Sequence, residues 1–445
     1  MPAFNEEKAI GRTVAKLKRL YPEAELLVVD DASTDQTVPV AKAAGAKVIR
    51  QPRNRGNGAA IKAGIRKAGD SRLDMALVVC DSVASAAGVF TRNKVRAAPV
   101  ELSEKRLRRG KSRAVLVNAG VANAMTGRGG MQAARAVTAE TARVLGIADS
   151  EVVAASTGVI GVQLPVEKML RAMPALVKNL SPNGFGEFSE AILTTDTTSK
   201  IVKSYFRLGA RRATILGIAK GSGMIAPDMA TMLAFLFTDI AADPKLLRKI
   251  LKTAAAQTFN RVTVDGDTST NDTLLLMTSG VLGNVPVGYS SPAAKTLAHA
   301  VEDVCYQLAE KIARDGEGAT KIARIIVKGA SSESDAVKVA RTVAESPLVK
   351  TALHGADPNW GRVAAAAGRS GAKINQWRLD INIGGIPCVK SGVPSRNFDE
   401  KKVAAIMKKD EVEIEINLNL GHGEARYLAC DFSAEYVHIN AHYRT

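Results

Sequence analysis

Lys220–Asp239 reads KGSGMIAPDMATMLAFLFTD, and the fold turns on how this stretch is read. The run before and into it, ATILGIAK (213–220), has the apolar and β-branched content of a strand, and TMLAFLFTDI (231–240) has it again. Between them lies a loop in which Gly221 and Gly223 permit unusual backbone angles and Pro227 fixes one. Thr231 stands where the loop ends and the second strand begins. A hydroxyl held at a tight turn beside a peptide carbonyl is placed to attack it. Cleavage of the Ala230–Thr231 bond in this way makes Thr231 a chain terminus, with its own amine beside its own hydroxyl. Such an amine has a pKa of about 7.7–8.0 and acts as a base near neutral pH. The plainer alternative for Thr231 is an ordinary strand start, where β-branched residues are common.

The chain has 445 residues, enough for two or three domains. Hydrophobic residues make up 46% and charged residues 24%, the balance of a globular protein. Aromatic content is only 4%, which argues against base-stacking platforms for nucleic acid. No apolar run reaches the roughly 20 residues that cross a membrane, and no secretory signal is expected at the start. Cys80, Cys305, Cys388 and Cys430 lie far apart and form no CxxC pair. They fit buried thiols in a reducing cytoplasm better than a disulfide framework or a zinc site. The five histidines show no metal-ligand spacing and no HExxH occurs, so no metal is expected. The net charge of +17 is densest in KRLRRGKSR (105–113) and otherwise scattered. A scattered excess reads as a solvated face that also draws acidic small molecules toward a pocket, so no nucleic-acid partner is expected.

Residues 1–72 alternate between helical and strand-like patterns. EEKAIGRTVAKLKRLY (6–21) is helical, ELLVVDD (25–31) a strand, TVPVAKAAGA (37–46) helical and KVIRQ (47–51) a strand. PAFNEE (2–7), VVDDASTDQT (28–37) and NRGNGAAIKAGIR (54–66) resemble the start of inverting, family 2 glycosyltransferases. That likeness implies a truncated Rossmann-like βα fragment with Asp30 and Asp31 near a nucleotide. The second acidic motif, the acceptor half and the catalytic base do not follow. Residues 1–62 are therefore expected to lack glycosyltransferase activity, and the strand normally preceding Pro2 is expected to be missing.

From Ala63 the pattern changes. ASAAGVFTRNKVRAAPV (84–100) reads as two strands with a turn near Asn93. LVNAGVANAMTGRGG (116–130) is a strand and a Gly/Asn-rich loop, followed by a helix from Met131. EVVAASTGVIG (151–161) is a strand entering a glycine turn, and Pro165 opens the next helix. Helices are also expected after Asp243-Pro244 and from Pro292 to about Ala313. EVEIEINLNLG (411–421) is a strand.

Four long motifs occur in order: KGSGMIAPDMATMLAFLFTD, ARDGEGATK (313–321), GADPNWGR (355–362) and the terminal NAHYRT (440–445). Together they resemble the ornithine acetyltransferase (glutamate N-acetyltransferase) family of arginine biosynthesis, over roughly residues 63–445. The resemblance implies a layered α/β sandwich of the α-β-β-α type. It also implies a chain that cuts itself before Thr231 into 1–230, with the α part at 63–230, and the β part 231–445, pieces that stay together as a heterotetramer of two α and two β pieces in the cytoplasm. The new N-terminal threonine then carries an acetyl group from N-acetylornithine to glutamate. No cofactor is implied, although acetyl-CoA is a further donor in bifunctional members.

Site residues carry over by matching positions. Thr231 matches the nucleophile, with Ala230 on the other side of the cut. Thr157 and Gly158 match the oxyanion-hole pair. Thr194, Lys220, Glu317, Asn440 and Thr445 match substrate-binding positions, with Thr195 an alternative to Thr194. The chemistry is coherent: Lys220 can meet a carboxylate, Glu317 an ammonium group, and a hydroxyl plus a glycine amide a tetrahedral oxyanion. Asn118, Asn123, Asp265, Asp267, Asn271, Asp357, Asn359 and Arg362 lie in matching polar stretches and are read as turn builders. Two rivals remain open: an amide hydrolase or aminopeptidase of the same fold, and an inactive fused chain with a basic binding surface.

Overall fold

The computed structural model describes residues 2–3, 7–20, 26–30, 33–50, 74–226 and 232–442. Ala230, Thr231, Thr445 and Asp31 lie outside the described residues. The contacts divide into two compact units, Met1–Asp74 and Met75–Thr445.

The first unit holds a three-stranded parallel sheet of β1 (Pro2–Ala3), β2 (Leu27–Asp30) and β3 (Lys47–Arg50) in that order. Helices Glu7–Leu20 and Thr37–Ala43 supply Ile10, Val14 and Ala41 to a core completed by Val28 and Ala46. Asp30 ends β2 in a buried position, where its carboxylate accepts from the Ser33 amide at 3.2 Å. This is the parallel βα arrangement expected from the alternation.

The second unit is built on two seven-stranded sheets, a layered α/β architecture of the expected class. Along the first sheet the strands run β6 (Val152–Val159), β5 (Lys111–Val121), β4 (Asp74–Phe90), β11 (Thr273–Thr278), β9 (Leu233–Thr238), β8 (Arg211–Lys220) and β7 (Lys200–Leu208). β9 and β11 are almost continuously apolar because helices or other core groups cover both faces. Phe235, Leu275 and Met277 point into a core shared with Val100, Leu107 and Phe188, whereas Leu236, Leu274 and Leu276 meet the helices Pro244–Gln257 and Ala293–Arg314. The helix at Pro244 begins where Asp243 accepts from the amides of Lys245 and Leu246, a cap that satisfies donors lacking helical partners.

The second sheet runs β10 (Val262–Thr263), β17 (Gly423–Cys430), β12 (Ile322–Ala330), β16 (Glu411–Asn417), β13 (Asp380–Ile383), β14 (Ile386–Lys390) and β15 (Val393–Pro394). Alternate residues of β12, Ala323, Ile325 and Val327, pack with four helices between Glu333 and Met407. Ile322, Leu428 and Cys430 instead join the core under the first sheet, and this ties the two sheets together.

One expectation fails. The turn near Asn93 forms, with Asn93 Oδ1 accepting from the Val95 amide at 2.9 Å, but no second strand follows it. Ala98–Leu107 is a helix with Pro99 in its first turn. Proline is at home there, since the missing N–H has no helical partner, while a sheet ladder needs that donor.

Candidate active site

β8 and β9 are antiparallel neighbours, and Lys220, the last residue of β8, sits opposite Leu233, the first of β9. The chain from Gly221 to Met232 therefore leaves and re-enters the same end of the sheet. β11 begins beside it, with Thr273 opposite Leu233, and the loop 264–272 leads into β11. Strand ends of a sheet collect loops from distant parts of the chain, and here they enclose a cavity of about 190 Å³. Thr157, Gly158, Thr194, Thr195, Lys220, Glu317 and Asn440 all line it.

Lys220 is the hub. It is 4% exposed, and its Nζ donates to Thr157 Oγ1 at 3.1 Å and to Thr194 Oγ1 at 2.8 Å. An ammonium has three protons, so one remains for a ligand. Burial lowers the Lys220 pKa, Asp196 at 3.8 Å opposes that shift, and the neighbouring Lys200 adds to it. Thr157 accepts from Lys220, which leaves its own hydroxyl hydrogen to donate.

Beneath Lys220 lies an ion cluster that sequence reasoning did not single out. Lys200 Nζ bonds Asp196 Oδ1 at 2.7 Å and Asp315 Oδ2 at 2.6 Å, all three side chains being buried. Asp196 also accepts from the Gly221 amide at 2.6 Å and the Thr194 amide at 3.1 Å. Burial raises the Asp196 pKa, but Lys200 and Lys220 outweigh it and hold the carboxyl ionised. The signal was present, since Asp196 follows Thr195, named above, and Asp315 lies in ARDGEGATK, quoted above.

Gly158 has φ +129°, and a Cβ there would fall 2.2 Å from the Gly120 carbonyl carbon of β5. Only glycine lets the two strands stay this close. Glu317 is 5% exposed, and its Oε2 accepts from Asn440 Nδ2 at 2.9 Å. Asn440 rides on the terminal helix Ala434–His442. Gly223 faces Glu317 so closely that a Cβ would meet the carboxylate oxygens at 2.3–2.5 Å.

Asp265 and Asp267 also line the cavity. Burial pushes the Asp265 carboxyl up to about 6, against bonds from the backbone amides of Asp267 and Met224. Asn271 is a buried brace, donating to Ala122 O at 2.6 Å and Ser156 O at 2.8 Å. Asn118 bonds Ser156 Oγ at 2.6 Å, and Asn123 bonds Gly130 O at 3.0 Å. Asp357, Asn359 and Arg362 build the turn before the helix Trp360–Gly368 and do not line the cavity.

Among the described residues no group of three or more His, Cys, Asp or Glu could hold a metal ion. None of their helices is long and apolar enough to cross a membrane. All four cysteines are free thiols, three buried and Cys80 half-buried. A larger cleft of about 910 Å³, lined by groups such as Arg324, Arg426 and Glu413, contains none of the residues singled out from the sequence.

Comparison with known proteins agrees with these motifs. Residues 57–445 match the ArgJ family, and residues 1–82 match Glycosyl transferase family 2. The chain is 45% identical to the arginine biosynthesis bifunctional protein ArgJ of Geobacter sulfurreducens, over 87% of this chain and 98% of the relative. A crystal structure of the arginine biosynthesis bifunctional protein from Bacillus halodurans is 42% identical, covering 47% of this chain and 98% of its own, with a TM-score of 0.46. An ornithine acetyltransferase from Mycobacterium tuberculosis, solved in complex with ornithine, is 34% identical over 37% of this chain and 87% of its own, with a TM-score of 0.31. By the extent of its family match and its identity to the Geobacter relative, this chain belongs to the ArgJ family.

Proposed function

We propose that this protein is a self-processing acetyltransferase of arginine biosynthesis that moves an acetyl group from N-acetylornithine to glutamate through Thr231. The observation that carries the reading is the convergence of Thr157, Gly158, Thr194, Lys220, Glu317 and Asn440 on one cavity. That cavity sits at the sheet end where the chain passes from Lys220 to Leu233.

Thr231 Oγ attacks the carbonyl carbon of Ala230. The C–N bond breaks, the Thr231 nitrogen takes the hydroxyl proton, and an ester links the two pieces. Water hydrolyses the ester, releasing the Ala230 carboxylate and leaving the Thr231 hydroxyl free beside its amine. In the transfer reaction that amine takes the proton from Oγ as Oγ attacks the acetyl carbonyl of N-acetylornithine. The Thr157 hydroxyl and the Gly158 amide are the donors assigned to the tetrahedral oxygen, where preorganised donors contribute most. The proton passes to the departing ornithine amine and the acetyl group stays on Oγ. The glutamate amine then attacks this ester, giving N-acetylglutamate and free Thr231. Lys220 uses its third proton on the α-carboxylate common to both substrates. Glu317, oriented by Asn440, meets the side-chain ammonium of ornithine.

The name bifunctional carried by the relative favours acetyl-CoA as a second donor. The chain divides, in this reading, into a glycosyltransferase-like segment 1–62 without activity, an α piece 63–230 and a β piece 231–445. Two copies of each piece assemble in the cytoplasm, and Thr445 is assigned to substrate binding.

Incubation with N-acetylornithine labelled in its acetyl group tests the reaction. With glutamate present, label is expected in N-acetylglutamate, with parallel double-reciprocal lines as both substrates vary. Release of free acetate at an equal rate with or without glutamate would instead identify a hydrolase.

A further inference from the structure

The chain approaches the segment that carries Ala230 and Thr231 through Met224 and Ile225, and leaves it through Met232. Both ends are fixed by carboxylates of one loop, 264–272. Asp265 accepts from the Met224 amide at 2.5 Å and from the Ile225 amide at 2.9 Å. The Ile225 carbonyl in turn accepts from the Val264 amide at 2.8 Å. At the other end Asp272 Oδ1 accepts from the Met232 amide at 3.2 Å, and the Met232 carbonyl accepts from the Thr273 amide at 3.1 Å.

Asp272 differs from its neighbour in a telling way. Asn271 has both ends of its side chain bonded: Nδ2 to two carbonyls and Oδ1 to the Thr270 hydroxyl. Asp272 is 1% exposed, yet its Oδ2 has no hydrogen-bond partner among the described residues. Leaving a buried carboxyl oxygen unpaired costs stability, so as a scaffold residue alone Asp272 is a poor choice. Its described side-chain partners are the Met232 amide, which follows Thr231, and the Thr91 hydroxyl.

We propose that Asp265 and Asp272 are positioning residues for self-cleavage, each holding backbone amides on one side of the segment that carries the Ala230–Thr231 bond. The proposal rests on reading Thr231 as the cleaving nucleophile. Attack by a side-chain hydroxyl on the carbonyl immediately before it demands one narrow backbone arrangement. A loop free at either end visits many others, and the attack-ready fraction falls with each freedom gained. Fixing both ends with preformed hydrogen bonds removes that freedom before the reaction begins. Neither carboxylate forms or breaks a covalent bond in the step.

The test follows cleavage of freshly translated, full-length chain by intact mass over time. Asp272→Ala is expected to cut at least about tenfold more slowly than the parent, as small misplacements at a reacting bond do. Asp272→Asn, whose amide oxygen still accepts from Met232, is expected to cut within about threefold of the parent. Asp265→Asn, which keeps one acceptor oxygen for two amides, is expected to fall between the parent and Asp265→Ala. Alanine variants that melt like the parent and cut at the parental rate overturn the proposal. Should the alanine chains not fold, hydrogen exchange on the Thr231→Ala chain decides. Protected amides at Met224, Ile225 and Met232 support the proposal, and exchange there at the rate of an unstructured peptide overturns it. A parent chain that never cuts instead removes the reading of Thr231, which the Thr231→Ala control exposes separately.

Discussion

Lys220 illustrates how one side chain acquires its proposed role from its surroundings. A lysine in that position of a sequence is by default a solvated strand end. Here burial and two hydroxyl acceptors turn it toward the cavity with one donor left. Lys220→Met keeps the bulk and loses the donors. It is expected to raise KM for both substrates at least about tenfold, the worth of a charged hydrogen bond, with the chain still cut at Thr231. Steady-state kinetics beside intact mass checks both parts. Gly223→Ala crowds the Glu317 carboxylate, since no Cβ fits beside its oxygens. Its expected signature is a loss of ornithine affinity larger than the loss of glutamate affinity, measured by calorimetric titration. Asp265 gives a pH prediction. Its carboxyl is raised from an ordinary 3.8 to about 6 in the folded chain, mainly by burial. The folded state thus binds more protons than the unfolded state between these values. The contribution of Asp265 to stability is complete below about pH 4 and is lost as pH rises through about 6. On an uncut Thr231→Ala background, Asp265→Asn is expected to flatten the fall of Tm from pH 4 to 7. An unchanged pH slope would show that other groups cause it. At this scale the sequence was legible where a residue matched a motif, as for Thr157, Thr194, Lys220, Glu317 and Asn440. Asp196, Asp272 and Asp315 stood beside residues singled out there and went unremarked. Their importance comes from what they touch across the fold.

Elements carry these residues to each other. β8 delivers Lys220, β6 delivers Thr157, and the turn after the helix Ala293–Arg314 delivers Glu317. The junction among them is held by Lys200 at the start of β7, bonded to Asp196 in the preceding loop and to Asp315 at the end of that helix. Removing one partner of a buried ion cluster leaves a charge with no compensation. Lys200→Ala is therefore expected to destabilise the chain by about 3–5 kcal/mol. Calorimetry on the uncut Thr231→Ala background checks this, because a cut chain does not unfold as a simple two-state system. Replacement of Lys200 without a fall in Tm would mean that the cluster contributes nothing to holding the three elements. The strand-like runs around residue 220 and the helices after Pro165, Asp243 and Pro292 were readable from periodicity and caps. The helix from Ala98 was not, because a short apolar run around a proline suits a strand edge as well as a helix start.

Among the described residues, the buried apolar clusters of the two units differ greatly in size. Of these residues, five buried apolar ones form a core in the first unit, while the second unit has three extensive clusters. A small core buries too little apolar surface to resist unfolding for long. Limited proteolysis during heating is expected to remove residues of the first unit at a temperature where the second stays intact. Simultaneous loss of both units would contradict the separation. Intact mass of the purified parent is expected to give two fragments meeting at Ala230/Thr231, and one chain for Thr231→Ala. The sequence by itself determined the class of each unit, the strands and helices around its motifs other than the helix from Ala98, and the family, because local periodicity and contiguous motifs are properties of neighbouring residues. Only the tertiary structure decided that one loop, 264–272, would grip the chain both before and after the segment that carries Ala230 and Thr231. The same holds for the buried lysine that joins two aspartates 119 residues apart in sequence, since a hydrogen bond is satisfied by proximity in space and leaves no periodic trace along the chain.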